Sequence, residues 1–229
     1  MRNCAVFCFL ILLGCTTSDE KKISDQAYYP LRIGDYWIYG VDETDILQLT
    51  CGTGGQTNKH YQLKDVVVDS AKNSDQGYTY TIHRYSRPDS TQAWVDADLR
   101  SARVTYSQVV VNENNVPYVK FTFPLRTSAV WNGNAYNDLG EEDYKAAGLG
   151  QSYVLTSGKK FQNTLSVVQM DEQNLVYQDT RIEVYAAAVG LIYKASTELN
   201  YFTDAACFGQ KEVKNGTIYL QSLISYGHQ

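Results

Sequence analysis

The chain has 229 residues, of which 44% are hydrophobic and 20% charged, and its formal net charge at pH 7 is −5. An acidic chain is a poor match for nucleic acid or for an anionic membrane surface, which argues against both as partners. Its length is enough for one large β domain or two small ones.

The first feature along the chain is a short apolar run, Ala5 to Leu13. Its nine residues are far fewer than the roughly 20 that span a bilayer as a helix. Arg2 precedes the run and small residues close it, which is the layout of a secretory signal peptide. The letters LLGC then match a bacterial lipobox, in which a diacylglyceryl thioether forms on the cysteine. We predict a signal peptide over residues 1–14 and lipidation of Cys15, with an ordinary signal peptide and an incidental cysteine as the alternative.

A polar and charged segment follows the lipobox. Its composition predicts a lipidated flexible tether over residues 15–26, because it has almost no apolar side chain to bury. Thr16 stands where many lipoproteins of the inner membrane carry a retaining aspartate, and SDE at 18–20 resembles the short acidic export signals of surface lipoproteins in Bacteroidota. We therefore predict an outer membrane lipoprotein facing the periplasm or the cell surface; a plain solvated linker is the alternative.

The cysteines predict one disulfide. Cys4 and Cys8 would leave with the signal peptide and Cys15 would be acylated, so Cys51 and Cys207 remain in a compartment that permits disulfides. We predict that these two are bonded to each other. The alternative is two buried free thiols, since sequence does not show how closely their Cα atoms approach.

Residues 27–229 read as a single β-rich domain, because no Pro/Gly/Ser-rich linker divides them. Period-2 patterns such as GYTYTIHRY recur between turn clusters, and 19 tyrosines suit strands. We predict a mainly β protein: an antiparallel curved sheet, as a half-barrel or a two-layer sandwich, with one or two short helices. Helix is predicted at 137–150, where acidic residues lead and Gly148 could end it, and as a turn at 96–101.

Two short segments of the chain, called the echoing segments below, have similar sequences. YPLRIGDYW, from Tyr29, and FPLRTSAVW, from Phe123, share an aromatic residue, Pro, Leu, Arg and a Trp seven residues after the Pro. Each is predicted to mark the entry of one half of the chain into a sheet, with the Trp filling the core. The alternative is a chance match.

Three segments, YYPLRIGDYWIYGVDE, NLVYQDTRIEVYAAAVGLIYKAS and the closing CFGQ…NGTIYLQSLISYG, resemble an uncharacterised family of lipid-anchored envelope proteins from Bacteroidota. The resemblance covers most of the mature chain and implies no known activity. Family members usually have Gly where this chain has Ala187 or Ala188. The chain also resembles half-barrel lipoprotein carriers of envelope trafficking. The positions that match the family are Pro30, Leu31, Gly34, Trp37, Tyr39, Tyr185, Gly190, Leu191, Tyr193 and Lys194.

Catalytic and metal-binding patterns are missing from the sequence. The three histidines, His60, His83 and His228, have neither H-x-x-x-H nor H-E-x-x-H spacing. The glycine-rich stretch after Cys51 lacks the G-K-[ST] ending of a phosphate loop, and there is no G-x-S-x-G elbow. The consecutive acids at 141–143 fit a helix start better than a glycosidase pair. We predict no catalytic residue, no metal and no cofactor.

Three further positions are candidates for a surface role. Ser70 and Ser90 lie in DSA and DST, which fit the short O-glycosylation sequon of Bacteroidota, and both are predicted to lie in turns. Trp94 could stack on a sugar ring or line an apolar groove, although a core tryptophan is the alternative.

Two functional hypotheses follow. The first is a non-catalytic binding or assembly module for an apolar ligand or a partner protein; the second is a surface-displayed accessory lipoprotein that binds glycans. A carrier would have a contiguous apolar concavity, a glycan module would have exposed aromatic side chains with polar neighbours, and an enzyme would have ionisable groups converging in a pocket.

Overall fold

The computed structural model describes residues 23–229. These residues form one antiparallel sheet, which confirms the predicted mainly β fold with a curved antiparallel sheet. The predicted signal peptide and Cys15 lie outside the described residues. None of the helices in the described part of the chain is long and apolar enough to cross a membrane.

The sheet is a meander of twelve strands in which consecutive strands pair, except β6 and β7, which form its two edges. β1 also pairs with β12, so the first and last strands lie side by side in the middle of the sheet. The strands are β1 Asp35–Thr50, β2 Thr53–Lys72, β3 Tyr78–Arg87, β4 Val95–Val104, β5 Gln108–Glu113, β6 Val116–Thr122, β7 Val130–Asn132, β8 Asp143–Val154, β9 Lys160–Gln173, β10 Tyr177–Ala186, β11 Gly190–Tyr201 and β12 Val213–His228.

The sheet curves until its two edge strands, β6 and β7, nearly meet. The amide of Val119 donates a hydrogen bond of 2.8 Å to the carbonyl of Gly133, and Trp131 Nε1 donates one of 2.8 Å to the carbonyl of Val119. Any side chain at position 133 would collide with the ring of Tyr144, so glycine allows the backbone to pass close to this ring. The nearly closed sheet therefore encloses an interior.

The two echoing segments precede the two halves of the sheet. The first leads into β1 and the second into β7, so each begins a run of six strands. Trp37 and Trp131 are both buried, and each indole donates a hydrogen bond to a backbone carbonyl; for Trp37 the acceptor is Val189, at 2.6 Å. Each segment thus stands at the entry of one half of the chain into the sheet.

One end of the enclosed space is filled by the start of the described chain. A 3-10 helix, Asp25–Tyr28, crosses the predicted boundary between tether and domain. Asp25 accepts a hydrogen bond of 2.8 Å from the amide of Leu125, and the carbonyl of Ala27 accepts one from the amide of Ala188. Tyr29 then packs inside the sheet. We call this end the plugged end.

The opposite end, which we call the mouth, carries the turns β1–β2, β5–β6, β9–β10 and the longer loop β11–β12. Cys51, in the first of these, and Cys207, in the last, form a disulfide with their Cα atoms 6.2 Å apart. Cys207 is fully buried. The bridge therefore ties together two neighbouring loops at the mouth.

The helix predicted at 137–150 is wrong, as is the helical turn at 96–101, which lies in β4. β8 begins at Asp143, where Tyr144 and Ala146 point inward and Ala146 pairs with Val167 of β9. Alternating burial on a paired strand outweighed the local helix signal. Gly148 has φ of +60° and lies where the β8–β9 register shifts, instead of ending a helix.

The turn that the family resemblance singled out contains a strained residue. Ala188 has φ of +62°, in the left-handed region that glycine adopts at little cost. This turn joins β10 to β11 at the plugged end, where the amide of Ala188 binds the chain's first described segment. The alanine is therefore held in place by contacts outside its own turn.

Candidate functional site

The interior of the sheet is apolar towards the plugged end and charged towards the mouth. In the apolar part, the rings of Phe121 and Tyr185 meet edge to face at 4.6 Å, and Tyr29 packs against both. Charged side chains then appear at inward positions of several strands. Buried charges are costly unless they are paired, so their partners decide what the site can do.

Two lysines and two glutamates form a compact cluster across the interior. Lys120 Nζ lies 2.9 Å from Glu183 Oε1 and 3.0 Å from Glu113 Oε1. Lys194 Nζ lies 3.2 Å from a carboxylate oxygen of each glutamate. Tyr185 donates a hydrogen bond of 2.5 Å to Glu183 Oε2. We call these four charged residues the lysine–glutamate cluster.

The cluster holds Glu113, Glu183 and Lys120 in their charged forms. Burial by itself would raise the pKa of Glu113 and Glu183, but the ammonium groups of Lys120 and Lys194 outweigh it and hold both values below the usual range. Burial by itself would lower the pKa of Lys120, but Glu113 and Glu183 outweigh that and raise it. The cluster is therefore a neutral set of two cations and two anions.

Two arginines on neighbouring strands line the same interior. Arg84 of β3 donates two hydrogen bonds of 2.6 Å to the two carboxylate oxygens of Asp65. Arg100 of β4 donates one of 2.8 Å from Nε to Asp98. Arg100 is paired in the sheet with Ile82, two residues from Arg84, so both side chains are on the inner face.

An open cavity of about 740 Å³, the upper cavity, lies on the mouth side of these charges. A second cavity, of about 390 Å³, shares Glu113, Asn114, Lys194, Ser196 and Glu198 with it, so the two are adjacent. Hydrogen-bonding side chains dominate the wall of the upper cavity: Tyr61, Arg84, Arg100, Glu113, Asn114, Lys194, Ser196, Glu198, Asn200, Thr217, Tyr219 and Gln221.

A small cavity of about 60 Å³ continues the interior towards the plugged end. It shares Arg84, Arg100 and Glu113 with the upper cavity but is otherwise lined largely by aromatic and aliphatic residues, including Tyr29 and Trp37. The interior is therefore not a contiguous apolar concavity.

The three histidines do not come together. Each pairs with a different aspartate: His60 with Asp42 at 2.7 Å, His83 with Asp96 at 3.3 Å and His228 with Asp35 at 3.0 Å. None of the three lines the upper cavity. Within residues 23–229 no group of three or more His, Cys, Asp or Glu side chains could hold a metal ion.

Trp94, Ser70, Ser90 and the acidic run 141–143 do not line the upper cavity. Trp94 is half-buried in the β3–β4 loop, with the guanidinium of Arg87 4.1 Å from its ring centre. Ser90 is exposed in a turn of the same loop, whereas Ser70 is half-buried within β2, so the turn prediction is wrong for Ser70. Glu142, of the acidic run 141–143, forms an ion pair with Arg181.

Most of the interior charges were missed by sequence reasoning. Only Lys194 was named, as a position that matches the resembled family. A usable signal was present: Lys120 sits in PYVKFTF and Glu183 in TRIEVY, where charged residues interrupt otherwise apolar strands. The ion pair between Lys120 and Glu183 could not be predicted from the sequence, because the two residues are 63 positions apart.

The solved structures that resemble this chain have low sequence identity to it. No protein-family model matches the chain, and none of the curated proteins matches it. A presumed exported protein with a YmcC-like fold from Bacteroides fragilis is 10% identical with a TM-score of 0.46, over 86% of this chain and 97% of its own. A presumed lipoprotein from Parabacteroides distasonis is 8% identical with a TM-score of 0.47, over 87% and 98%. The functional assignment therefore rests on this chain's own residues.

Proposed function

We propose that this chain is a lipid-anchored cell-envelope protein, akin to the uncharacterised lipid-anchored family that its motifs resemble, and that its domain binds a small polar ligand without covalent chemistry. The ligand occupies the upper cavity and is rich in hydroxyl groups, as a glycan fragment is. The single observation that carries the proposal is the wall of this cavity, which is made mainly of hydrogen-bonding side chains.

A polar ligand suits this wall better than an apolar one. Tyr61, Asn200 and Thr217 each donate one hydrogen bond within the protein and keep oxygen atoms that can accept one from a ligand. Ser196 adds a hydroxyl group that can both donate and accept. An apolar ligand would strip water from these groups without replacing its hydrogen bonds, which costs free energy for each one. The glycan-binding hypothesis is therefore preferred over the apolar-ligand hypothesis.

Binding without catalysis is preferred because the charged groups neutralise one another. A general acid or base works best with a pKa near the operating pH. In the lysine–glutamate cluster the pKa of Lys120 is raised and those of Glu113 and Glu183 are lowered, so each moves away from neutral pH. The arrangement favours fixed charges that orient a ligand.

Filling the upper cavity should abolish ligand binding. Ser196 faces the cavity from β11, whereas its neighbour Thr197 points to the opposite face of the same strand. We expect ligand-observed NMR with galactose, N-acetylglucosamine and galacturonate to detect binding to the unmodified protein and to Thr197→Trp, but not to Ser196→Trp.

A fluorescent fatty acid, cis-parinaric acid, distinguishes the two classes of ligand in the same samples. We expect no rise in its emission, because most of the residues that line the cavity carry hydrogen-bonding side chains. The proposal would be contradicted if the emission rose, Ser196→Trp removed the rise, and no saccharide bound. That result would indicate a carrier of apolar ligands instead.

Lipidation is tested at Cys15. In a bacterial host, the full chain is expected to enter the detergent phase of a Triton X-114 separation, because several acyl chains at roughly 0.8 kcal/mol per buried CH₂ hold a domain on a membrane. Cys15→Ser is expected to move it to the aqueous phase, while Cys8→Ser, within the predicted signal peptide, leaves it in the detergent phase. Retention of Cys15→Ser in the detergent phase would show that the anchor assignment is wrong.

A further inference from the structure

The upper cavity contains hydrogen-bond donors that no protein group uses. Arg84 binds Asp65 through Nε and Nη2, and Arg100 binds Asp98 through Nε. In the described part of the chain, no hydrogen bond uses Nη1 of Arg84 or either terminal nitrogen of Arg100. The side chains of Arg84 and Arg100 are 9% and 16% exposed, and their unpaired nitrogens are not among the fully buried atoms, so solvent in the open cavity reaches them.

An amide nitrogen in the same wall is also without a partner. Gln221, on β12, is 1% exposed, and its Oε1 accepts a hydrogen bond of 2.7 Å from the hydroxyl of Tyr219. Its Nε2 has no hydrogen-bond partner among the described residues. Leaving a buried donor unpaired destabilises the fold, so such groups call for an explanation.

These unpaired groups are all donors, and they belong to the wall of one cavity. Arg84, Arg100, Tyr219 and Gln221 line the same cavity. Burial raises the pKa of Tyr219 to about 12, and the charges of Arg84 and Arg100 oppose that rise, which places both guanidinium groups near its hydroxyl. A hydroxyl of a sugar both donates and accepts, whereas an ionised carboxylate only accepts.

We propose that the ligand carries a carboxylate, which binds between Arg84 and Arg100 with Gln221 as a further donor. This inference rests on the proposed function and narrows its ligand class to acidic saccharides, such as those that contain a uronic acid. The planar forks of the two guanidinium groups match the two oxygens of a carboxylate. Asp65 binds Nε and Nη2 of Arg84, and Asp98 binds Nε of Arg100. These bonds fix the direction of the remaining N–H groups.

The experiment compares two sugars that differ only at one carbon. Galacturonate has a carboxylate where galactose has a hydroxymethyl group, so the ratio of their dissociation constants isolates the carboxylate. We expect ligand-observed NMR titration of the intact domain to show galacturonate binding at least about tenfold more tightly than galactose. Arg100→Gln is expected to remove that preference, and Arg100→Lys, which keeps the charge but loses the fork, to reduce it.

Arg103→Gln is the matched control. Arg103 lies three residues further along the same strand on the opposite, outer face, where it pairs with Asp75 at 2.6 Å. It should keep the full preference for galacturonate. Arg100 is chosen over Arg84 because Asp98 is 26% exposed, so it stays hydrated when its partner is removed.

The possible outcomes separate the two proposals. Equal binding of both sugars overturns the carboxylate site and leaves the proposed function standing. A preference for galacturonate that survives Arg100→Gln in a folded variant also overturns the site. If neither sugar binds, the proposed function falls and the carboxylate site falls with it.

Discussion

Glu183→Gln is expected to lower the free energy of unfolding by about 3–5 kcal/mol, the usual cost of removing one partner from a buried ion pair. Glu183 is 1% exposed and touches Lys120, which is itself 3% exposed. The substitution leaves Lys120 and Lys194 sharing the charge of Glu113 alone. The measurement is urea unfolding at neutral pH, followed by circular dichroism.

The matched control for this experiment is Glu198→Gln on the neighbouring strand. Glu198 is exposed, so the same change of side chain should alter stability by less than about 0.5 kcal/mol. A loss below about 1 kcal/mol for Glu183→Gln would contradict the charge-paired interior, because an unbalanced buried ammonium group costs more than that.

Replacing both Cys51 and Cys207 by Ala should cost up to about 5 kcal/mol, which is the second large effect expected. The bond joins residues 156 positions apart, and long closed loops restrict the unfolded chain most. Equal urea midpoints for the variant and the unmodified protein would argue against this stabilisation.

Mass spectrometry of an unreduced digest checks the bond itself. We expect the peptides that contain Cys51 and Cys207 to be recovered as one linked species. Recovery of both as separate, alkylated peptides without prior reduction would mean that the bridge does not form in the expressed protein.

The fold class was predictable because strands carry their own local signal. GYTYTIHRY alternates as β3 does in the structure, and the paired Pro-Leu-Arg segments stand before β1 and β7. The error at 137–150 has a local cause as well. Acidic residues ahead of Tyr144 and Ala146 resemble a helix start, and only the pairing of β8 with β9 shows that these two side chains point inward.

The site was far less predictable, because it consists of contacts between distant strands. Lys120 and Glu183 belong to β6 and β10, on opposite halves of the sheet, and no spacing rule connects them. The three histidines, a residue type common in catalytic and metal sites, lie in separate pairs with single aspartates. Alternation predicts which residues face inward but not which strands will face each other across an enclosed space.

The plugged end also sets how far the ligand site can stand from the membrane. The chain enters the domain there, at residue 23, while the mouth lies one strand length away, up to roughly 50 Å for the 16 residues of β1 at about 3.3 Å each. With the proposed anchor at Cys15, the intervening residues 16–22 reach at most roughly 25 Å when fully extended. That reach is too short for the domain to turn its mouth back onto the bilayer surface. With that anchor, the proposed ligand would be captured from the aqueous space beyond the membrane and not extracted from the lipid leaflet.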